Sequence, residues 1–111
     1  MTFLYLNSDK MGEGDPQLGQ KLLGVFLKKL AESNTKIDVV GCVNSGVYLT
    51  TKGSKVIDSI RKLEAKGAKI ATCGTCLEHF DLKDKLLIGE IGTMDGTVEI
   101  MSIADRIIRP N

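Results

Sequence analysis

The sequence has no tryptophan, and aromatic residues make up only 5% of it, which argues against a surface that stacks nucleic-acid bases. An excess of charge is also missing. A formal net charge of +1 gives no electrostatic footprint for nucleic acid or for an anionic membrane surface. No run approaches the ~20 consecutive apolar residues of a membrane span. The segment Met1 to Asn7 is apolar, but it lacks a basic start and meets Asn7, Ser8, Asp9 and Lys10 too soon for a signal peptide. It reads as a first buried strand. There are three cysteines, an odd number, in a chain large enough to need no disulfide framework. With no signal peptide in view, free thiols in a reducing, cytoplasmic compartment are expected. Linkers, low-complexity tracts and internal repeats are absent.

What is present is globular: 42% apolar and 26% charged residues over 111 positions, the size and composition of one domain spanning 1–111. Apolar strand-like runs alternate with helix-like stretches. Phe3 to Asn7 ends in a polar, Gly-rich loop from Ser8 to Asp15. Asp15-Pro16 suits a helix start, with Asp as cap and Pro at the first helical position. Leu18, Leu22, Phe26 and Leu30 then repeat every four residues, with Leu23 and Leu27 alongside. Ile37 to Val43 reads as a second strand broken by Asn44-Ser45-Gly46. Ser54 opens a helix that buries Val56, Ile57, Ile60 and Leu63 and stops at Gly67. Ala68 to Thr72 is a third strand. Leu77 to Phe80 reads as helical, Leu86 to Ile91 as a short strand or extended segment, Met94 to Ala104 as a helix and Arg106 to Ile108 as a last strand. The order predicts an α/β fold, a doubly wound, mostly parallel sheet with helices on both faces. Functional groups in such sheets gather beyond the carboxyl ends of the strands. Three loops leave strands there: Ser8 to Asp15, Val43 to Thr51 and Thr72 to Leu77.

The third loop holds Cys73-Gly74-Thr75-Cys76. A thiol reacts as the thiolate. Thr75-Cys76-Leu77-Glu78 fits a capping box, with Thr75 as cap and Glu78 reaching back. That places Cys76 in a first helical turn, where free N–H groups and the helix dipole favour negative charge, so a lowered pKa is expected at either thiol. Gly74 allows a sharp bend. The Cys-x-x-Cys spacing admits a dithiol/disulfide couple, a persulfide carrier whose second thiol releases the sulfur, or two small buried hydrophobes. Zinc is disfavoured: a second Cys-x-x-Cys is missing and only Cys42 and His79 remain as ligands. Neither metal nor cofactor is expected. Cys42, ending a β-branched strand, reads as core, and His79 as a surface histidine one turn from Cys76. In Met11-Gly12-Glu13-Gly14-Asp15 there is no phosphate-loop pattern. Gly12 and Gly14 belong to a plain strand-to-helix turn, or their backbone shapes the floor beside Cys73. Asn44, Ser45 and Gly46 are equally a turn or hydrogen-bond donors to a persulfide or anion. Met94, Val98 and Met101 read as core or an oligomer face.

Taken together, Asn7 to Asp15, Asn44-Ser45-Gly46-Val47, Cys73-Gly74-Thr75-Cys76-Leu77 and Ala104 to Pro110 resemble the DsrE/DsrF-like family. They are most similar to the C-terminal domain of YedF-type selenium-metabolism proteins. The resemblance covers nearly the whole chain. It implies a doubly wound parallel sheet, sulfur-relay activity and a homo-oligomer, with a trimer favoured. It also implies that Cys73, directly after the third strand, is the sulfur-bearing residue and that Cys76 matches the second cysteine of the YedF-type subgroup. YedF-type proteins carry an N-terminal sulfur-carrier domain with a Cys-Pro-x-Pro motif, which this sequence lacks. A separate donor or acceptor protein of that kind is then the expected partner. The chain therefore reads as a cysteine-based sulfur or selenium carrier. The alternative is a non-catalytic oligomeric scaffold or binding subunit with a structural or redox-sensing cysteine pair.

Overall fold

Strand and helix alternate along the chain in a computed structural model that describes residues 1–111. The elements are β1 (Thr2–Leu6), α1 (Pro16–Glu32), β2 (Val39–Cys42), a 3₁₀ helix (Asn44–Leu49), α2 (Ile57–Ala65), β3 (Lys69–Cys73), α3 (Gly74–His79), β4 (Glu90–Gly92), α4 (Met94–Ile103) and β5 (Arg106–Ile108). The five strands form one sheet in the order β4-β3-β2-β1-β5, and every neighbouring pair is parallel. This is the doubly wound α/β sheet the sequence pattern predicts.

The strand order explains how the helices are shared between the faces. From β1 to β4 the chain steps in one direction, and right-handed crossovers keep those connections on one side of the sheet. The return from β4 to β5 runs the opposite way, so α4 crosses the other face. The core agrees. Leu4, Leu6, Val40, Cys42 and Ile70 pack with Leu23 and Leu27 of α1 and with Ile60 and Leu63 of α2. Phe3, Gly41 and Ala71, on the alternate strand positions, share a crevice with Thr97 and Ile100 of α4. Alternation of side chains across a strand does this sorting.

Helix α1 begins as expected, with Asp15 accepting a hydrogen bond from the Leu18 N–H at 2.8 Å and Pro16 as its first residue. Its buried line is Gly19, Leu23, Leu27 and Ala31, whereas Leu18 and Leu22 of the predicted stripe are exposed. Gly19 sets this rotation. A Cβ there would lie 2.8 Å from the Lys10 Cβ, and the Met11 N–H bonds to the Gly19 carbonyl at 3.0 Å. The loop after β1 thus seats on the glycine face. Helix α2 starts at Ile57 rather than Ser54. The Ser54 hydroxyl instead donates to the Leu49 carbonyl at 2.7 Å and accepts from the Val56 N–H, closing a turn. Strand β4 is confined to Glu90–Gly92 because Gly89 precedes it at φ +75°, where a Cβ would lie 2.3 Å from the Ile70 carbonyl oxygen. No helix is long and apolar enough to cross a membrane.

Candidate functional site

The parallel register brings the carboxyl ends of the inner strands level. Leu6 aligns with Cys42, Cys42 with Thr72, and Cys73 with Gly92. The loops that leave these ends are then tied together. The Val43 N–H donates to the Leu6 carbonyl at 3.0 Å, and the Asp9 N–H donates to the Ser45 hydroxyl at 3.2 Å. Gly46 is required at this seam, since a Cβ would sit 2.2 Å from the Leu6 carbonyl oxygen. Below it, the Thr50 and Thr72 hydroxyls form a fully buried hydrogen bond of 2.8 Å, which joins the end of the 3₁₀ helix to β3. Nothing in the local sequence marks that pair, because its members are 22 residues apart.

The thiols occupy this edge. Cys73 ends β3 and serves as the N-cap residue of α3, with no side-chain cap bond. The capping box expected from Thr75 and Glu78 does not form. The helix starts two residues earlier than that pattern requires, at Gly74, and Thr75 and Glu78 are both exposed. Gly74 is needed for a different reason: a Cβ there would meet the Ile91 side chain at 2.9 Å, so the glycine lets β4 close on the turn. Cys73 and Cys76 are both half-buried, whereas Cys42 is fully buried. Burial pushes the Cys42 thiol up to about 12, consistent with its place in the core.

Cys76 departs from the expected lowering. Burial is the largest influence and raises its pKa. The Asn44 N–H, donating to the Cys76 Sγ at 3.1 Å, works against this. A hydrogen bond with Cys73 and the charge of Cys73 raise it further. Desolvation outweighs the start of a six-residue helix. The result is a neighbouring pair in which the Cys76 pKa is raised and one fixed N–H faces the Cys76 sulfur.

The structure brings Asn44 to Cys76 and Ser45 to the β1 loop, with Gly46 locking the seam and Gly74 the turn. Thr75 faces solvent. Gly12 lies in a separate cleft of about 770 Å³ with Asn44, Ser45, Lys10 and Arg109, and Gly14 has no neighbour within 4 Å of where a Cβ would be. Neither lines the crevice that contains Cys73. His79 packs edge-on against Phe80, with ring centroids 5.0 Å apart, and Phe80 tilts onto Tyr48. No group of three or more His, Cys, Asp or Glu side chains gathers to hold a metal. Sequence reasoning did not foresee the second wall of the thiol site. Cys73 opens onto a crevice of about 230 Å³ under α4, bordered by Gly92, Thr93, Gly96 and Thr97.

An open, all-parallel sheet with a dithiol turn at the carboxyl end of its third strand defines the class of α/β protein to which this chain belongs. The DsrE/DsrF-like family model matches residues 19–110, and the chain belongs to that family. Among solved structures it is similar to the YchN protein from E. coli, with 18% identity, 97% of each chain covered and a TM-score of 0.73. It is also similar to MTH1491 from Methanobacterium thermoautotrophicum, a protein of unknown function, with 16% identity, 98% of this chain and 97% of the other covered, and a TM-score of 0.68. At such identities the likeness is one of fold. No curated protein matches the chain.

Proposed function

We propose that this chain carries sulfane sulfur, or selenium in the equivalent form, as a persulfide on Cys73, with Cys76 as the thiol that releases it. The observation that carries this reading is the pairing of two half-buried thiols at the carboxyl edge, with the Asn44 N–H fixed on the Cys76 sulfur. The Cys73 thiolate attacks the outer sulfur of a donor persulfide, and the donor leaves as its thiolate. The cargo then passes to an acceptor thiol. Alternatively Cys76 attacks the inner sulfur, which gives the Cys73–Cys76 disulfide and releases hydrogen sulfide. A later exchange with a thiol reductant restores the pair. The donor or acceptor on this reading is a separate protein, such as a sulfur carrier with a Cys-Pro-x-Pro motif, and the setting is the reducing cytoplasm. Membership of the DsrE/DsrF-like family supports a sulfur-relay role. Intact mass after incubation with a cysteine desulfurase and cysteine tests it. A gain of one sulfur that is lost in Cys73→Ser and kept in Cys76→Ser is the expected result. No gain in any form sinks the carrier reading.

A second reading, an oligomeric scaffold, is favoured by one observation. Helix α4 buries none of its residues fully, and Met94, Val98 and Ile103 are 55%, 59% and 63% exposed. Ile91 and Ile107 add to the exposed apolar surface. Such a face fits assembly with further copies of this chain, and a trimer is the expected form. Light scattering of the wild type against Val98→Glu measures this: an oligomer that falls to the monomer mass supports it, and a monomeric wild type removes it.

A further inference from the structure

The crevice beneath α4 has a shape and chemistry that the sulfur-carrying role does not by itself require. It runs along the sheet face opposite the main core, from Cys73 at the carboxyl edge towards Lys69, a span of four residues or about 13 Å. Alternation along β3 explains why Cys73 belongs to it. Ile70 and Thr72 are buried in the α1 and α2 side, which leaves Ala71 and Cys73 on the α4 side. The space exists because small residues meet there: Ala71 and Gly92 on the sheet and Gly96 on the helix.

Its place in the topology is also special. The connection after β3 goes to one face through α3, and the connection after β4 goes to the other through α4. The split falls between Cys73 and Gly92, which are register partners. In open α/β sheets ligands bind outside the carboxyl ends of the strands at such a reversal, and that is the end of the crevice Cys73 occupies.

The lining offers no free charge. The Thr93 hydroxyl already accepts from the Gly96 N–H at 3.1 Å, and the Thr97 hydroxyl already donates to the Thr93 carbonyl at 3.2 Å. Lys69 and Glu90 at the far end pair with one another at 3.0 Å. Phe3 and Ile100 supply apolar walls. A charged guest entering here would lose its water without gaining a counter-charge. The volume, about 230 Å³, is below the ~300–1,000 Å³ of sites for drug-sized molecules. It is above the ~150 Å³ that accommodates benzene in an apolar protein cavity.

We propose that this crevice binds a small uncharged organosulfur compound, a thiol with an aryl or short alkyl body, which exchanges sulfur with Cys73. The proposal deepens the carrier reading and rests on it for the direction of transfer. The guest enters as its neutral thiol and gives up its proton only as its sulfur attacks the outer sulfur of the Cys73 persulfide. The bond between that sulfur and Cys73 breaks, the guest leaves as its own persulfide, and Cys73 returns as a thiolate that takes up the guest's proton. No outside oxidant or reductant enters.

The test compares two maleimides with one reactive group and different bodies, N-benzylmaleimide and N-(2-carboxyethyl)maleimide, on the full chain. Labelling rates at each cysteine are read by peptide mass spectrometry and divided by the rates with glutathione. The benzyl reagent is expected to be favoured at Cys73 by at least tenfold over the charged one, and Gly96→Leu, which fills the crevice, to reduce that preference to within twofold. Thr97→Phe serves as a second filling variant, and a melting curve confirms that each is folded. A glutathione-like ratio at Cys73 in the wild type overturns the proposal, whether or not the variants fold. A preference that survives in a folded, filled variant overturns it too. These rates need no sulfur loading, so a failed persulfide assay and a failed crevice are told apart.

Discussion

The backbone N–H of Asn44 donates to the Cys76 Sγ across 3.1 Å, joining positions 32 residues apart. Asn44 achieves this in a left-handed conformation, φ 51°, a region that asparagine tolerates better than most residues. Two residues later Gly46 holds the loop flat against β1.

That arrangement separates two glycines of the same edge. Gly46→Ala puts a Cβ 2.2 Å from the Leu6 carbonyl oxygen, so the 3₁₀ helix must shift and carry Asn44 away from Cys76. A loss of roughly 2–4 kcal/mol is expected, in the range of severe single substitutions. Gly14→Ala meets nothing within 4 Å and should stay within about 0.5 kcal/mol. Urea unfolding of both variants checks this, and equal midpoints would refute it.

Cys76 should be slow to alkylate near neutral pH. Its pKa is raised, by burial first and then by Cys73, so the thiolate forms only above the ordinary thiol range. Cys73→Ala removes the hydrogen bond and charge of Cys73 but not the burial. The pH–rate midpoint for Cys76 should therefore move down in that variant while keeping the contribution of burial. An upward shift would contradict the assignment of Cys73 as the group that holds the Cys76 proton in place.

Cys42 links stability to alkaline pH. Its folded value is pushed from 9.0 up to about 12, so the folded state keeps a proton that the unfolded chain loses. The contribution is fully present below about pH 9 and declines between the two values. The slope between them approaches about 1.4 kcal/mol per pH unit. Stability measured at pH 8 and pH 10 should fall more steeply in the wild type than in Cys42→Ala, although the variant starts lower because of the cavity it creates. Parallel slopes would show that Cys42 ionises in the folded state.

The Thr50–Thr72 pair predicts an asymmetry. The Thr50 hydroxyl can also donate to the Val47 carbonyl at 3.3 Å. Thr72→Val therefore leaves Thr50 with a partner and should cost about 0.5–1.5 kcal/mol, the range for one lost hydrogen bond. Thr50→Val strands a buried Thr72 hydroxyl and should cost about 1–3 kcal/mol. Thermal midpoints of the two variants decide the order.

Much of this architecture is legible in the chain. Asp15-Pro16 starts α1, Gly67 ends α2 at φ +107°, and Arg106–Ile108 forms the last strand. Each is a short-range signal, set by caps, left-handed glycine or β-branched residues. The register of the α1 stripe was not legible, because leucines lie on both sides of the helix and the seat at Gly19 depends on Lys10 and Met11. The start of α3 was misplaced for a similar reason. Thr75 and Glu78 have the spacing of a capping box, but β3 runs directly into the helix and β4 closes over Gly74, so Cys73 takes the cap position. The candidate site was half legible: the cysteines stand out by spacing, whereas the crevice walls come from β4 and α4, where the pattern is weakest.

The sequence alone determined that strands and helices alternate, and hence a parallel α/β sheet whose carboxyl edge carries Cys73, Asn44 and the loop after β1. Backbone propensity and apolar periodicity are local, and they suffice for that. Only the tertiary structure decided which way each thiol is biased and what space it faces. Those depend on desolvation, on an N–H from another strand's loop, and on the reversal between β3 and β4 that opens the sheet under α4. All three are sums over residues distant in the chain, and no local pattern contains them.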